Sequence, residues 1–307
     1  LPLLPEEPDM PIETVHTLVI GGGQAGLAMS EHLSNCGVQH VVLERRRIAE
    51  RWRSERWDSL MANGPVWHDR FPTKLFADVH PDAFASKHEV VAYFEEFAQQ
   101  IGAPLRNNVE VTSVTPCASG HGFAVETTAG DFEAANLVAA TGPFQRPLIP
   151  ALVPESVGIT QLHSSAYRNP QQLPSGAVLV VGAGSSGGQI ADELVRAGKQ
   201  VYLSVGPHDR PPRRYRERDF VWWLGMLGKW ATTAADPSTA HVTISVSGAN
   251  GGHTVDFRDF AARGMTLVGM TREFAHGVVH FAPDLADNIA LGDQNYLSLL
   301  READAYV

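Results

Sequence analysis

Cysteine is nearly absent: the chain has two in 307 residues, Cys36 and Cys117. Two thiols so far apart give no disulfide framework and no cysteine-based metal site, and they suit a reducing, cytoplasmic compartment. Both read as buried packing residues. They also leave out the redox cysteine pair that a disulfide reductase needs. Positive charge is in deficit, with 24 Lys and Arg against 34 acids and a net charge of −10. That balance excludes a general nucleic-acid surface. Long apolar runs are missing: the longest, 220–228, is about nine residues, whereas a membrane span needs about 20. The opening Leu-Pro-Leu-Leu-Pro-Glu-Glu-Pro has neither the basic region nor the apolar core of a secretion signal. No G-x-S-x-G elbow marks a hydrolase. The 13 histidines are scattered, and none sits in a helical metal-binding spacing with carboxylates. His276 and His280 stand four apart, but Gly277 and the β-branched Val278-Val279 between them read as strand.

What is present is ordinary for a folded protein: 44% apolar and 19% charged residues. At about 150 residues per domain, the length suggests two domains. Residues 1–13 are rich in proline and acid and read as an extended arm. Val15 to Ile20 then forms a buried strand ending in glycines, Ala25 to Ser34 a helix, and Val41 to Glu44 a second strand, which together make a β-α-β unit. Glu89 to Gln100 reads as a helix, Val109 to Phe132 as a small antiparallel sheet, and Leu137 to Ala140 as another strand. Four prolines between 143 and 154 mark a connection between domains. The pattern restarts with a strand at Val178–Val181, a helix at Gln189–Ala197 and a strand at Val201–Val205. Further on, 241–246 and 265–268 read as strands and 296–306 as a helix, while the aromatic stretch 220–224 reads as a core helix or subunit contact, with a substrate channel or a hold for a missing segment as the alternatives.

Each β-α-β unit opens on a glycine fingerprint. The first is Gly21, Gly23 and Gly26 in G-x-G-x-x-G, with Gln24 and Ala25 between the last two. The first glycine permits the tight turn, the second admits a pyrophosphate to the backbone, and the third lets helix and strand pack closely. Glu44 ends the next strand, where an acid accepts ribose hydroxyls, and Arg45 follows it. The second is Gly182, Gly184 and Gly187, with Ser185 and Ser186 before the last glycine. Its matching strand ends in Val205 rather than an acid, and Arg210, Arg213 and Arg214 follow. Without the acid a 2′-phosphate is not repelled, and arginine offers it charge-assisted hydrogen bonds, so this site suits NADPH. The acid-bearing site suits FAD, and hydride passes from nicotinamide to flavin.

From here the chain resembles the class B flavoprotein monooxygenases, the flavin-containing monooxygenase-like group, over roughly residues 15–230. Trp52-Arg53 is similar to the family's turn beside the flavin. Arg56-Trp57-Asp58-Ser59-Leu60 with Asn63-Gly64-Pro65 is similar to its R-Y-D-S-L-x-x-N-x-P stretch. Ala140-Thr141-Gly142-Pro143-Phe144, with Pro147 and Pro150, resembles the A-T-G link out of the FAD domain. His163 to Tyr167 resembles the end of the monooxygenase fingerprint, although Val157 and Ile159 stand where Phe and Gly are expected. The resemblance puts Trp52, Thr141 and Gly142 at the cofactor and Asn63 and Asp58 in catalysis. In the family the chain returns to complete the FAD domain through a second A-T-G segment. Only one is found, at 140–142, so the chain reads as lacking that C-terminal part.

The expected fold is therefore α/β, with two Rossmann-type dinucleotide-binding domains in the three-layer FAD/NAD(P)-binding arrangement. FAD is expected in 14–155 and NADPH in 156–307, with the active site in the cleft between them. The resemblance implies an NADPH-dependent FAD monooxygenase that oxygenates a small N- or S-containing molecule through a (hydro)peroxyflavin. Its partners are that substrate and dioxygen, and a homodimer is left open. The alternatives are a reductase or oxidase without oxygen transfer, a Baeyer–Villiger monooxygenase, and an inactive nucleotide-binding fragment.

Overall fold

A computed structural model describes residues 11–118, 120–233 and 242–307. The expected arm therefore lies largely outside the described residues, as does His241. The chain divides into two compact units, Leu1–Ser54 with His88–Pro147, and Glu55–Lys87 with Leu148–Val307. The division at 147/148 falls in the proline-rich connection. Residues 55–87, expected with the FAD domain, group instead with the second unit.

The first unit contains β1 (Glu13–Ile20), α1 (Gln24–Asn35), β2 (His40–Glu44), α2 (Glu50–Ser54), α3 (Lys87–Gln100), β3 (Leu105–Asn107), β4 (Val111–Pro116), β5 (Phe123–Thr127) and β6 (Phe132–Ala139). They form one six-stranded sheet in the order β3-β2-β1-β6-β5-β4. The first four strands are parallel, while β5 and β4 continue the sheet antiparallel. The antiparallel strands expected as a separate small sheet thus share a sheet with the parallel ones. The reason is β6, which pairs with β1 along its length and with β5 at its start. Leu18, Val19, Val42 and Leu43 are essentially removed from solvent, as befits central parallel strands. Leu18 and Leu43 meet Val109, Val125, Phe132 and Ala134 in one cluster. Cys36 is exposed at the end of α1 and Cys117 is half-buried, so neither is the core packing residue that was expected. Cys36 caps the helix beyond the face that packs on the sheet.

The second unit contains β7 (Val178–Val181), α4 (Ser185–Arg196), β8 (Val201–Ser204), β9 (His208–Asp209), β10 (Arg214–Tyr215), β11 (Arg218–Asp219), α5 (Phe220–Met226), β12 (Thr243–Ile244), α6 (Phe257–Ala262), β13 (Thr266–Val268), β14 (Thr271–Ala275), β15 (Val278–Phe281) and α7 (Leu285–Tyr306). Its parallel sheet runs β13-β8-β7. This is the arrangement expected of a nucleotide-binding half, in which each strand is added beside the last through a crossover. The aromatic stretch is a core helix: Phe220, Val221 and Trp223 of α5 pack with Leu299 and Ala303 of α7. Among the described residues no helix is long and apolar enough to cross a membrane.

Candidate nucleotide sites

The first glycine turn is shaped by three different constraints. Gly21 has φ of +113°, and a side chain there would strike the Ala140 carbonyl. Only glycine is comfortable under both conditions. A side chain on Gly26 would strike the Gly21 carbonyl, so this glycine lets α1 lie against the turn. At Gly23 the direction of the missing side chain is open, with nothing within 4 Å. Gly23 is also the residue preceding α1, and no side chain caps that helix end. The first turn of α1 therefore presents backbone N–H groups and positive dipole beside open space, which suits an anionic phosphate.

Glu44 lies over this turn. Its Oε2 accepts from the Gly22 N–H at 2.8 Å and its Oε1 accepts from the Arg46 N–H at 3.0 Å. Each carboxylate oxygen keeps a further acceptor site, so the residue can hold the turn and still receive ribose hydroxyls. Arg45 is exposed beside it, and Trp52 sits half-buried on α2. Thr141 and Gly142 lie exposed just past β6, Gly142 with φ of +78°. Gln145 folds back onto the Thr141 carbonyl, and Arg51 of α2 donates to the Phe144 carbonyl. Gly21, Gly23, Gln24, Ala25, Gly26 and Glu44 are thus brought together around one cradle that fits a dinucleotide.

The second turn has the same backbone but not the same vacancy. Gly182 has φ of +100°, and a side chain on Gly187 would strike the Gly182 carbonyl. At Gly184, however, the missing side chain's direction is filled by the Thr243 methyl group, with Thr243 Cβ at 3.6 Å and the Ile244 carbonyl oxygen at 3.8 Å. Ser185 donates to that carbonyl at 3.0 Å, and Ser245 donates to the Ala183 carbonyl. Ser186 follows on the first turn of α4. As it stands, this cradle does not fit a pyrophosphate.

Two of the arginines expected at a 2′-phosphate are committed elsewhere. Arg213 is only 3% exposed. It is bidentate to Asp219, with Nε to Oδ2 at 2.8 Å and Nη2 to Oδ1 at 2.7 Å, and its Nη1 donates to the Asn63 carbonyl at 2.7 Å. The rings of Phe84 and Phe220 lie 4.6 and 4.8 Å from the guanidinium carbon. Burial pushes this guanidinium down from its usual pKa, and Asp219 opposes that shift. Arg210 bonds Asp293 at 2.6 Å and stacks on Tyr296. The expectation for these two is corrected: each is an internal ion pair, because a buried guanidinium needs a carboxylate partner. Arg214 is exposed and donates to the Asp82 carbonyl at 3.5 Å.

Residues 55–87 are anchored to α4. Gln189 Nε2 donates to Asn63 Oδ1 at 2.8 Å. One helical turn on, Glu193 accepts from the Ser59 hydroxyl and from the Tyr167 hydroxyl, both at 2.7 Å. Burial first, and then Glu193, push the Tyr167 phenol far above its ordinary pKa, so it stays protonated. Asn63 is exposed, and with Oδ1 accepting from Gln189 its Nδ2 is the amide's donor. Asp58 accepts from Asn169 at 2.7 Å and from buried Lys87 at 2.9 Å. The Asn169 amide first, and the Lys87 ammonium after it, hold its carboxyl below the usual range. Asp58, expected in catalysis, is here an anionic anchor held by Asn169 and Lys87. Gln189, Glu193, Asp219 and Thr243 went unnoticed in the sequence. The one available signal was the four-residue spacing of Gln189 and Glu193 on a helix face.

The pyridine nucleotide-disulphide oxidoreductase family model matches residues 18–224. An uncharacterized CzcO-like oxidoreductase of Geobacillus kaustophilus is 39% identical over 218 residues, covering 70% of this chain and 61% of that protein. A probable indole-3-pyruvate monooxygenase of Arabidopsis thaliana is 32% identical over 192 residues, 61% of this chain and 46% of that protein. Among solved structures, a mutant flavin monooxygenase from Stenotrophomonas maltophilia superposes with a TM-score of 0.68 at 23% identity, covering 88% of this chain and 74% of that one. The chain thus spans about half to three fifths of the length of these two curated relatives. With two glycine-turn β-α-β units inside the matched span, the chain belongs to the pyridine nucleotide-disulphide oxidoreductase family, and its likeness there is to the flavin-containing monooxygenases.

Proposed function

We propose that this chain is the nucleotide-binding part of an FAD- and NADPH-dependent monooxygenase acting on a small N- or S-containing molecule, with dioxygen as co-substrate, in the cytoplasm. One observation carries the reading: the open cradle at Gly23, faced by the uncapped start of α1 and bordered by Glu44. Bound FAD would supply the two-electron relay between the nicotinamide and dioxygen. The chain's own residues have narrower tasks. The α1 N-terminus holds the pyrophosphate, and Glu44 accepts ribose hydroxyls. Asn63 offers its Nδ2–H to an oxygen carrying negative charge, its amide orientation set by Gln189.

The test is product analysis with FAD-loaded protein, NADPH and a panel of amines and sulfides. Oxygenated product supports the reading; peroxide alone refutes it. Asn63→Asp should keep flavin binding, since Asp also accepts from Gln189, yet lose oxygenation because a carboxylate cannot donate. A second reading, an oxidoreductase without oxygen transfer, draws on Val157 and Ile159 standing where the monooxygenase fingerprint has Phe and Gly.

A further inference from the structure

We infer that Thr243 controls entry of the pyridine nucleotide to the second glycine turn, by occupying with its own side chain the space the phosphates require. The inference rests on the proposal that Gly182–Gly187 binds NADPH.

The chain carries its own control, because it builds the same turn twice. At Gly23 the direction of the missing side chain is empty, while at Gly184 it holds the Thr243 methyl and, at 3.8 Å, the Ile244 carbonyl oxygen. A methyl group gives a phosphate nothing to bond, and a carbonyl oxygen repels it. The donor best placed for an anion, the Ser185 hydroxyl at the start of α4, is spent on that same carbonyl at 3.0 Å. Ser185 Oγ also accepts from the Val246 N–H at 3.4 Å. Thus β12 occupies and satisfies what a pyrophosphate would otherwise occupy and satisfy.

The obstruction is lightly held. β12 is two residues long and, among the described residues, pairs only with β9, Thr243 opposite His208 and Ile244 opposite Asp209. Val242, Thr243 and Ile244 are exposed, whereas Ser245, Val246, Ser247 and Gly248 are buried. A side chain on Gly248 would strike the Ala62 carbonyl and Phe84, so this end is packed tightly. The moving part is therefore Val242–Ile244, pivoting ahead of Ser245. Nucleotide binds only the displaced form, and its apparent affinity is reduced by the fraction of molecules displaced.

The experiment titrates the full chain with NADP⁺ by calorimetry and compares three variants. Thr243→Gly and Thr243→Ala remove the obstructing methyl; Thr243→Val keeps it at nearly the same volume. The expected result is a Kd about five- to tenfold lower for the Gly and Ala variants and unchanged for Val. Hydrogen exchange in the wild type should show NADP⁺ increasing exchange across Val242–Val246. Equal Kd values in all three variants, or NADP⁺ protecting this segment, would overturn the inference. Gly187→Ala separates the two levels, since its side chain would strike the Gly182 carbonyl. If Gly187→Ala weakens NADP⁺ binding while the Thr243 variants match wild type, only the Thr243 inference fails. If Gly187→Ala binds normally, the NADPH placement fails and the inference with it.

Discussion

Arg213 gives the sharpest contrast between a nucleotide-binding role and a structural one. Its guanidinium makes two bonds to the Asp219 carboxylate and one to the Asn63 carbonyl, and both members of the pair are almost wholly buried. Arg213→Met keeps much of the volume but leaves Asp219 as a buried charge supported, among the described residues, only by the Val221 N–H at 3.0 Å. Removing one partner of such a pair costs about 3–5 kcal/mol. In a domain of 150–250 residues that lowers Tm by about 6–20 °C, at roughly 2–4 °C per kcal/mol. The double change Arg213→Met with Asp219→Leu removes both charges, so it should melt above the single variant. It should still fall short of wild type, because Asp219 also caps α5, a contribution of about 1 kcal/mol. Thermal and urea unfolding measure all three proteins. Arg214→Ala, at the exposed neighbour, should stay within about 0.5 kcal/mol of wild type and raise KM for NADPH but not NADH. Arg213→Met with a wild-type Tm and a selective loss of NADPH affinity would refute the structural assignment.

Three further outcomes follow from the same geometry. Gly23→Val places a side chain in the open cradle and should abolish FAD retention, read as flavin absorbance per chain, with little change in Tm. Glu44→Ala removes the acceptor for the Gly22 and Arg46 N–H groups. Hydrogen bonds to a charged group are worth about 1.5–3 kcal/mol each before solvent screening, so FAD should bind at least tenfold more weakly in equilibrium titration. His208 is 1% exposed and donates from Nδ1 to the Gly206 carbonyl at 2.9 Å, and among the described residues its buried Nε2 has no hydrogen-bond partner. Burial pushes its imidazole below the usual value, so the folded state favours the neutral ring. That stability is full above about pH 6.5 and lost as pH falls through the lowered folded value. His208→Leu should flatten the acid side of a urea-unfolding profile; an unchanged acid limb would show that His208 does not set it.

Both β-α-β units were legible because their signals are local. A short apolar strand, a glycine triplet and a helix are contiguous in sequence, and the first and third glycines of each triplet have a backbone reason to be there. The elements held by distant partners were not legible. Residues 55–87 adjoin the first unit in sequence, yet Gln189, Glu193 and Arg213 bind them into the second. The arginine cluster read as an anion site because charge shows in a sequence and burial does not. Asp219, only six residues beyond Arg213, neutralises it through the β10–β11 turn. The expected strand at 241–246 shrinks to the two residues of β12 among those described. The last helix is longer than expected, beginning at Leu285 rather than 296. Gly292 obscured that start, and its lack of a side chain is what accommodates His208, whose Nε2 would lie 2.5 Å from an added Cβ.

The central claim is that the chain passes electrons from a pyridine nucleotide to a flavin held at Gly21–Gly26. The most direct measurement is the visible spectrum of FAD-loaded protein mixed with NADPH under argon, beside Gly23→Val treated identically. The account predicts that the flavin absorbance band bleaches in the wild type and that the variant, holding no flavin, shows no such band. A wild-type protein whose bound flavin keeps its full absorbance in excess NADPH, or a Gly23→Val protein that retains and bleaches flavin equally well, would contradict it.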